Sequence, residues 1–514
     1  MTAPSAPDRR LAGLTHAGAD WSGLRVVVAG IGVSGFAAAD ALVERGAEVV
    51  VVDDRDGDAE RERGVVLDTL GAHVQLGPGS AATLPDVAGT RADLVVTSPG
   101  WRPDQPLLAA AAAAQVPVWG EVELAWRMRP ASGAAPWLTL TGTNGKTTTV
   151  KMLASMLTAA GHRATAAGNV GTPLLEAVLH PQPYDVIAVE LSSFQLHWSS
   201  SLRPLASACL NVAPDHVDWH GSMAAYIADK GRVYTDTEVA CVYNVADPVT
   251  EQLVRDAEVI EGCRAIGFTL GIPAVSMFGV VEDVLCDRAF VEQRSSSAAE
   301  IATLDDVRTA AGGTLAPHSI ANALAAAALA RAYGVPVTAV RDGLRGFTPD
   351  PHRIARVAER DGVVWVDDSK ATNPHAADAA LRAFESVVWV AGGLAKGASF
   401  DDLVATHAGR LRAVVLIGRD RELVAAALAR HAPQVPVVEV DVADTGPVEQ
   451  TAGPLMRAVV DRAAGLARPG DAVLLAPACA SMDQFVSYAH RGDAFAAAVR
   501  DRLGAAPPGS AARD

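Results

Sequence analysis

Lysine is nearly absent from this 514-residue chain: five of them (Lys146, Lys151, Lys230, Lys370 and Lys396) stand beside 38 arginines. Arginine therefore serves wherever a generic surface cation will do. Each lysine asks for its own reason, because a compact ammonium can approach a phosphate or shed its proton and react. Asparagine is almost as sparse, at six: Asn144, Asn169, Asn211, Asn244, Asn322 and Asn373. The five cysteines (Cys209, Cys241, Cys263, Cys286 and Cys479) form no C-x-x-C pair. That excludes a disulfide framework and a thiolate zinc or redox motif, and leaves buried thiols in a reducing compartment. No run reaches the roughly 18–20 apolar residues of a membrane span, and residues 1–22 lack the apolar core of a signal peptide, so a cytoplasmic protein with no membrane insertion is expected. An excess of basic charge is missing too: 43 Lys+Arg against 59 Asp+Glu leave a net charge of −16, which disfavours nucleic acid as a partner. Half the residues are hydrophobic and a fifth are charged. A chain of this length and balance is globular, with about three domains at roughly 100–200 residues each.

The first segment opens with the strand Arg25-Val-Val-Val-Ala-Gly30, a Gly30-Ile-Gly32-Val-Ser-Gly35 turn, a helix over 36–45 and a second strand over 47–53 that ends in acidic residues. This βαβ pattern suits a diphosphate at a helix N-terminus, either in a dinucleotide or in another nucleotide diphosphate. A further strand is expected over 94–97, before Ser98-Pro99-Gly100, and the domain closes in the loose stretch 129–136. A second alternation starts at Trp137, with strands expected over 186–189, 208–212 and 239–243, and a parallel sheet is its natural architecture. After Phe347-Thr-Pro-Asp-Pro351 a third alternation places strands over 363–366, 387–390, 414–417, 436–440 and 472–475, and 505–514 reads as a loose tail. The fold class expected is α/β in three domains: Rossmann-like over 1–133, a central P-loop ATPase-type domain over 134–346 and a Rossmann-like domain over 347–514.

Three clusters carry chemistry. Gly142-Thr143-Asn144-Gly145-Lys146-Thr147-Thr148 lies between an apolar strand and a helical run. There, backbone N–H groups cradle phosphates, Lys146 reaches the terminal phosphates and the Thr147 hydroxyl suits Mg²⁺. Leu140 stands where the general Walker pattern has its first glycine, so the loop is a shortened form. The neighbouring strand ends in Glu190, a carboxylate placed to hold metal, followed by Ser192, Ser193 and Gln195. His216, between Asp215 and Asp218, suits either a metal or solvent. Lys230 beyond it makes little electrostatic sense near a cation unless it is modified or paired. In the third segment Asp367-Asp368-Ser369-Lys370-Ala371-Thr372-Asn373 and Gly392-Gly393-Leu394-Ala395-Lys396-Gly397 lie at carboxyl ends of strands, where open α/β sheets place ligands; their lysines and threonine suit an acidic substrate.

Taken together, Gly142–Thr147, Glu190–Leu196 (ELSSFQL) and Asn211–His220 (NVAPDHVDWH) resemble the Mur ligases, ATP-dependent amide-forming enzymes of peptidoglycan precursor synthesis. Asp367–Asn373 (DDSKATN), Ala476–Phe485 (APACASMDQF) and Gly120–Leu124 are similar to the member that adds D-glutamate. The resemblance implies that the first domain binds the UDP of UDP-N-acetylmuramoyl-L-alanine, with Val33, Ser34, Asp54 and Arg55 at UDP-contacting positions and Asp54 standing where the family often has threonine. It places Asn169, Ser192, Gln195 and His216 around the muramoyl-alanine substrate. ATP falls to Gly142–Thr148, to Asn322, whose neighbour Ser319 replaces a usual asparagine, and to Arg353 and Asp368. Thr147 and Glu190 would hold one Mg²⁺, and His216 with a carbamylated Lys230 a second. Lys370, Thr372, Lys396, Ser481 and Tyr488 fall around the D-glutamate pocket. Catalytic roles fall to Lys146, Glu190, His216, Lys230 and Lys370, in a monomer with a hinge expected near Phe347–Pro351. A folate-type ligase, a nicotinamide dehydrogenase and an inactive binding protein remain alternatives.

Overall fold

The computed structural model describes residues 6–313, 315–440 and 448–504, so the tail expected over 505–514 lies outside the described residues. They form two compact units, one within Met1–Ile301 and Leu324–Gly343, the other within Ala302–Ala323 and Leu344–Asp514.

The first unit holds two sheets. In one, β1 (Arg25–Ala29), β2 (Glu48–Asp53), β3 (His73–Leu76), β4 (Leu94–Thr97) and β5 (Val118–Gly120) run in parallel in the order β3-β2-β1-β4-β5. Val26 and Val28 belong to one buried apolar cluster and Val27 and Ala29 to another. Both faces are covered, which is why β1 is an unbroken apolar run rather than an alternating one.

The other sheet comprises β6 (Trp137–Thr141), β7 (Ala164–Gly168), β8 (Val186–Glu190), β9 (Ala206–Cys209), β10 (Ala240–Asn244), β11 (Arg264–Phe268), β12 (Met277–Val281), β13 (Val284–Asp287) and β14 (Ala299–Thr303), ordered β14-β13-β12-β11-β10-β9-β6-β8-β7. Pairings from β7 to β12 are parallel. The expected parallel architecture stops there, because β12 and β13 form an antiparallel hairpin with Glu282 at φ +56°. A two-residue connection can join only antiparallel neighbours. The strand expected over 208–212 ends at Cys209 because the following backbone bonds elsewhere. Asn211 O accepts from Thr143 N (3.0 Å), and Val212 N donates to Asp247 Oδ2 (2.7 Å).

Helix Glu121–Arg127 follows β5 directly and fastens the first sheet's layer to the second's. Glu123 is fully buried and accepts from Ser200 N (2.8 Å), Ser201 N (3.0 Å), Ser201 Oγ (2.6 Å) and Arg127 Nε (2.6 Å). Glu121, also buried, accepts from Leu175 N at 3.0 Å, and burial pushes its pKa up to about 7.

In the second unit β15 (Ala355–Arg360), β16 (Val363–Asp367), β17 (Val387–Gly392), β18 (Leu411–Ile417), β19 (Val437–Glu439) and β20 (Ala472–Leu475) are ordered β15-β16-β20-β17-β18-β19. All pairs are parallel except β15 with β16. Among the described residues no helix is long and apolar enough to cross a membrane.

Candidate active site

Two glycine-rich turns of the first unit each join a strand to a helix. The Gly30–Gly35 turn leads from β1 into helix Val33–Val43. A Cβ on Gly35 would lie 1.8 Å from Gly30 O, and one on Gly30, at φ +97°, would lie 2.6 Å from Ser98 Oγ. The chain itself demands those two glycines. Gly32 has nothing within 4 Å of an added Cβ, so the open space lies there, at the helix N-terminus where an anion is favoured. Ser98 Oγ is buried beside the turn without a hydrogen-bond partner among the described residues.

At the end of β2, Asp53 stands where a dinucleotide fold offers a carboxylate to a ribose hydroxyl. Here it is already engaged. Its oxygens accept from Ile31 N (3.0 Å), Arg55 N (2.9 Å) and the Arg55 guanidinium (3.2 and 2.9 Å). Burial pushes its pKa up, but the Arg55 and backbone bonds outweigh that and hold it below the ordinary value. Of the residues expected to meet UDP, Val33 is exposed and Ser34 half-buried in the turn. Asp54 accepts from Gly79 N (3.1 Å) and Ala81 N (3.0 Å), while Arg55 pairs with Asp53 and with Glu60 (3.3 Å). Both therefore brace the chain, a duty invisible in the sequence.

The second turn leads from β6 into helix Lys146–Ala159, with Gly145 in the left-handed region at φ +83°. Asn144 N donates to Asn211 Oδ1 (2.9 Å) and Asn211 Nδ2 returns a bond to Asn144 O (3.1 Å). Thr143 Oγ1 bonds Tyr226 Oη at 2.9 Å and accepts from Ala213 N at 2.9 Å. Lys146 Nζ donates to Gly142 O (2.8 Å) and Thr143 O (2.9 Å); Lys230 Nζ, from helix Met223–Gly231, donates to the same Gly142 O at 2.9 Å and to Thr141 Oγ1 at 3.4 Å. Two scarce lysines thus converge on one carbonyl. Lys230 is buried, and burial first, then the charge of Lys146, lower its pKa to about 7.

Parallel pairing of β6 with β8 sets Glu190 opposite Leu140, at the mouth of the loop. Glu190 Oε1 accepts from Asn169 Nδ2 at 2.9 Å, whereas Oε2 is buried with no partner among the described residues. A hard cation would satisfy that orphaned oxygen. Among the described residues no three His, Cys, Asp or Glu side chains cluster as a ready-made metal cage. The donor set therefore fits an ion that takes hydroxyl, carboxylate and phosphate oxygens. Thr147 and Thr148 are half-buried on the first helical turn. Ser192 and Gln195 satisfy each other in a capping box: Ser192 N donates to Gln195 Oε1 (2.9 Å) and Gln195 N to Ser192 Oγ (3.2 Å). His216 sits at φ +52°, with its side chain 40% exposed and its ring edge-on to Phe194 at 4.8 Å.

In the second unit Asp368 is buried at the end of β16; it accepts from Ile354 N (3.2 Å), and burial pushes its pKa up to about 8. His352 Nδ1 donates to Asp367 Oδ2 at 2.6 Å, a bond that raises the His352 pKa. Lys370 Nζ lies 3.8 Å from the centre of the Tyr488 ring. Leu394 and Ala480 exchange backbone bonds of 2.9 Å in both directions, which brings the loops of exposed Lys396 and buried Ser481 together. Arg353 and Thr372 are half-buried, and Asn322 and Ser319 are buried near the start of helix Pro317–Tyr333.

Two residues escaped the sequence reading. Arg491, fully buried, donates to Ser369 Oγ (2.9 Å), Ser369 O (2.9 Å) and Cys479 O (3.2 Å), and so stitches the DDSKATN turn to the APACAS turn. Tyr226 is buried with its ring 4.8 Å from Lys230 Nζ. Rarity exposed the lysines; an arginine among 38 carries no such signal.

Comparison with known proteins matches residues 24–120 to the Mur ligase MurD-like N-terminal domain, 140–330 to the Mur ligase middle domain and 352–479 to the Mur ligase glutamate ligase domain. UDP-N-acetylmuramoylalanine--D-glutamate ligase of Streptomyces avermitilis is 63% identical over 94% of this chain and 99% of its own length. The Mycolicibacterium smegmatis protein of the same name is 49% identical over 94% of this chain and 97% of its own. Among solved structures, UDP-N-acetylmuramate-alanine ligase from Thermotoga maritima superposes with a TM-score of 0.51 at 17% identity, covering 93% of this chain and 99% of that one. This last likeness speaks for the fold alone.

Proposed function

The chain belongs to the Mur ligase family, and on that premise we propose that it is an ATP-dependent ligase joining D-glutamate to the L-alanyl carboxylate of UDP-N-acetylmuramoyl-L-alanine. The observation that carries the reading is the convergence of Lys146, Lys230 and Glu190 on the loop after β6, in a chain 63% identical to a relative named for that reaction.

A carboxylate resists an amine because its leaving group would be oxide. Phosphorylation removes the obstacle. An oxygen of the L-alanyl carboxylate attacks the γ-phosphorus of ATP and ADP leaves, giving an acyl phosphate. The amine of D-glutamate then attacks the acyl carbon, inorganic phosphate leaves, and the nitrogen loses a proton to become the amide. The chain's task is to position anions and to offset charge as it moves.

The Gly142–Thr148 backbone and Lys146 hold the ATP phosphates, with Asn322 on the adenine and Arg353 and Asp368 as further ATP contacts. Thr147 and Glu190 are the residues to hold one Mg²⁺, and His216 with Lys230 a second. When bound, these ions neutralise phosphate charge as it shifts towards ADP. Lys230 serves as a carbamate: its neutral amine adds to carbon dioxide with loss of a proton, which turns a repelling ammonium into an oxygen ligand. Its burial and its nearness to Lys146 favour the neutral amine that this step requires. The first turn takes the UDP group through Val33, Ser34, Asp54 and Arg55. The engaged Asp53 carboxylate speaks against NAD there. Asn169, Ser192, Gln195 and His216 face the muramoyl-alanyl group; Lys370, Thr372, Lys396, Ser481 and Tyr488 hold D-glutamate. Five free thiols suit the cytoplasm as the place of reaction.

Phosphate release from ATP is the test. It should require UDP-N-acetylmuramoyl-L-alanine and D-glutamate together, with L-glutamate much poorer, because anchoring both of its carboxylates misdirects its amine. Equal turnover with L-glutamate or L-lysine would overturn the reading.

A further inference from the structure

Outside the residues assigned above, a dense buried polar cluster of the first unit centres on Asp229. Its Oδ2 meets two imidazole nitrogens, His197 Nδ1 at 2.8 Å and His220 Nδ1 at 2.9 Å, and its Oδ1 lies 3.3 Å from Arg232 Nε. A carboxylate only accepts, so both Nδ1 atoms carry hydrogen. His220, its side chain fully buried, turns Nε2 to Ser193 Oγ at 2.9 Å. A neutral ring then accepts at Nε2, and the Ser193 hydroxyl donates. The order Ser–His–Asp resembles that of a nucleophilic triad, but Ser193 is 3% exposed and offers no open face to an acyl carbon.

What this chain of bonds does join is three short helices. Ser193 begins helix Ser193–His197, which Ser192 caps. His220 ends helix Val217–His220, which His216 precedes. Asp229 adjoins Lys230 in helix Met223–Gly231. Phe194 fills the space between, 4.8 Å from the His216 ring and 5.5 Å from the nearly parallel His220 ring. Helices of five, four and nine residues cannot hold themselves in water, so their mutual placement must come from tertiary bonds. The relay supplies a continuous set of such bonds, and each helix it joins carries or adjoins a residue of the candidate site.

We propose that Ser193, His220 and Asp229 form a positioning relay that holds Ser192, Gln195, His216 and Lys230 in register, so that capture of the muramoyl-alanyl nucleotide depends on a hydroxyl that is itself spent on His220. The inference rests on the ligase reading for the roles of the residues it positions.

The test is steady-state kinetics of Ser193→Ala, Ser193→Thr and His220→Asn. Ser193→Ala should raise KM for UDP-N-acetylmuramoyl-L-alanine about 5–20-fold, the scale of one lost buried hydrogen bond, and leave KM for D-glutamate within about twofold. A loss of folded protein would lower kcat and move neither KM. Ser193→Thr, which keeps the hydroxyl, should return towards wild type. His220→Asn, which keeps a donor for Asp229 and removes the acceptor for Ser193, should match Ser193→Ala, and the double variant should be no worse than either, as for residues acting as one unit. Wild-type KM in Ser193→Ala, or additive losses in the double variant, would overturn the relay. Failure of the ligase reading shows separately, as wild-type protein that does not use D-glutamate; calorimetric affinity for UDP-N-acetylmuramoyl-L-alanine then reads the same variants, with the same two outcomes deciding.

Discussion

The two glycine-rich turns of the first unit share a local design, a parallel strand delivering glycines to a helix N-terminus, yet their surroundings differ in every charged respect. Around Gly30–Gly35 the Asp53 carboxylate is consumed by the turn and by Arg55. Around Gly142–Lys146 two lysines converge on one carbonyl, and Glu190 keeps a buried oxygen without a partner among the described residues. The first turn suits a diphosphate that is held and left intact. The second suits one whose charge moves. A glycine pattern thus sets where an anion sits, and the side chains behind it set what happens to the anion.

The strongest way to break this contrast is to remove the chemistry of the second turn. Lys230→Ala should cut turnover by about 10³-fold, the upper scale of one lost electrostatic partner, and Lys230→Arg should not help because a guanidinium does not form the carbamate. A short carboxylic acid added to the assay should restore part of the Lys230→Ala activity; wild-type-like turnover in either variant would remove the carbamate from the account. Lys146→Ala should lower acyl phosphate formation by about 10²-fold, read by borohydride trapping of the intermediate. Undiminished trapping would take Lys146 off the phosphoryl group.

A smaller effect sharpens the contrast from the other side. Gly32 has φ −63°, open to any residue, and free space around its Cβ position, so Gly32→Val costs the empty protein little. It should weaken UDP-sugar binding by calorimetry about tenfold or more and leave an ATP analogue unaffected, since only the first turn is blocked. Micromolar NAD binding to the wild type, with none to UDP compounds, would reverse the assignment of that turn.

The smallest effect concerns the helix that joins the two layers. Glu121 has a folded pKa raised by burial to about 7 from 4.5. The folded state therefore binds more protons than the unfolded one between those values, so this group's contribution is full below pH 4.5 and is lost as pH rises through about 7. Glu121→Gln should remove that slope, worth up to about 3 kcal/mol at 1.36 kcal/mol per pKa unit. Thermal melts of variant and wild type from pH 5 to 8 check it, and parallel curves would contradict it.

How much was legible in the sequence follows from the same chemistry. The second turn was, because Gly142–Thr148 are contiguous and flanked by a strand and a helix, and Lys230 was, because lysine is so scarce here. The Ser193–His220–Asp229 chain was not: its links span 27 and nine positions, and no local pattern announces them. The bonds by which Asp54 holds Gly79 N and Ala81 N were not legible either, since those partners lie 25 and 27 positions away. The three alternating βα regions were legible from apolar runs, but the β12–β13 hairpin was not, since its Glu282-Asp283 connection lacks the Asn-Gly or Asp-Gly signal of a tight turn.

The contrast between a turn that holds and a turn that transfers is tested most directly by following oxygen. With the L-alanyl carboxylate of UDP-N-acetylmuramoyl-L-alanine labelled with ¹⁸O, ligation of D-glutamate should release inorganic phosphate carrying one labelled oxygen, read by mass spectrometry or by the ³¹P isotope shift. Unlabelled phosphate, formed at the same rate as the amide, would contradict attack of that carboxylate on ATP.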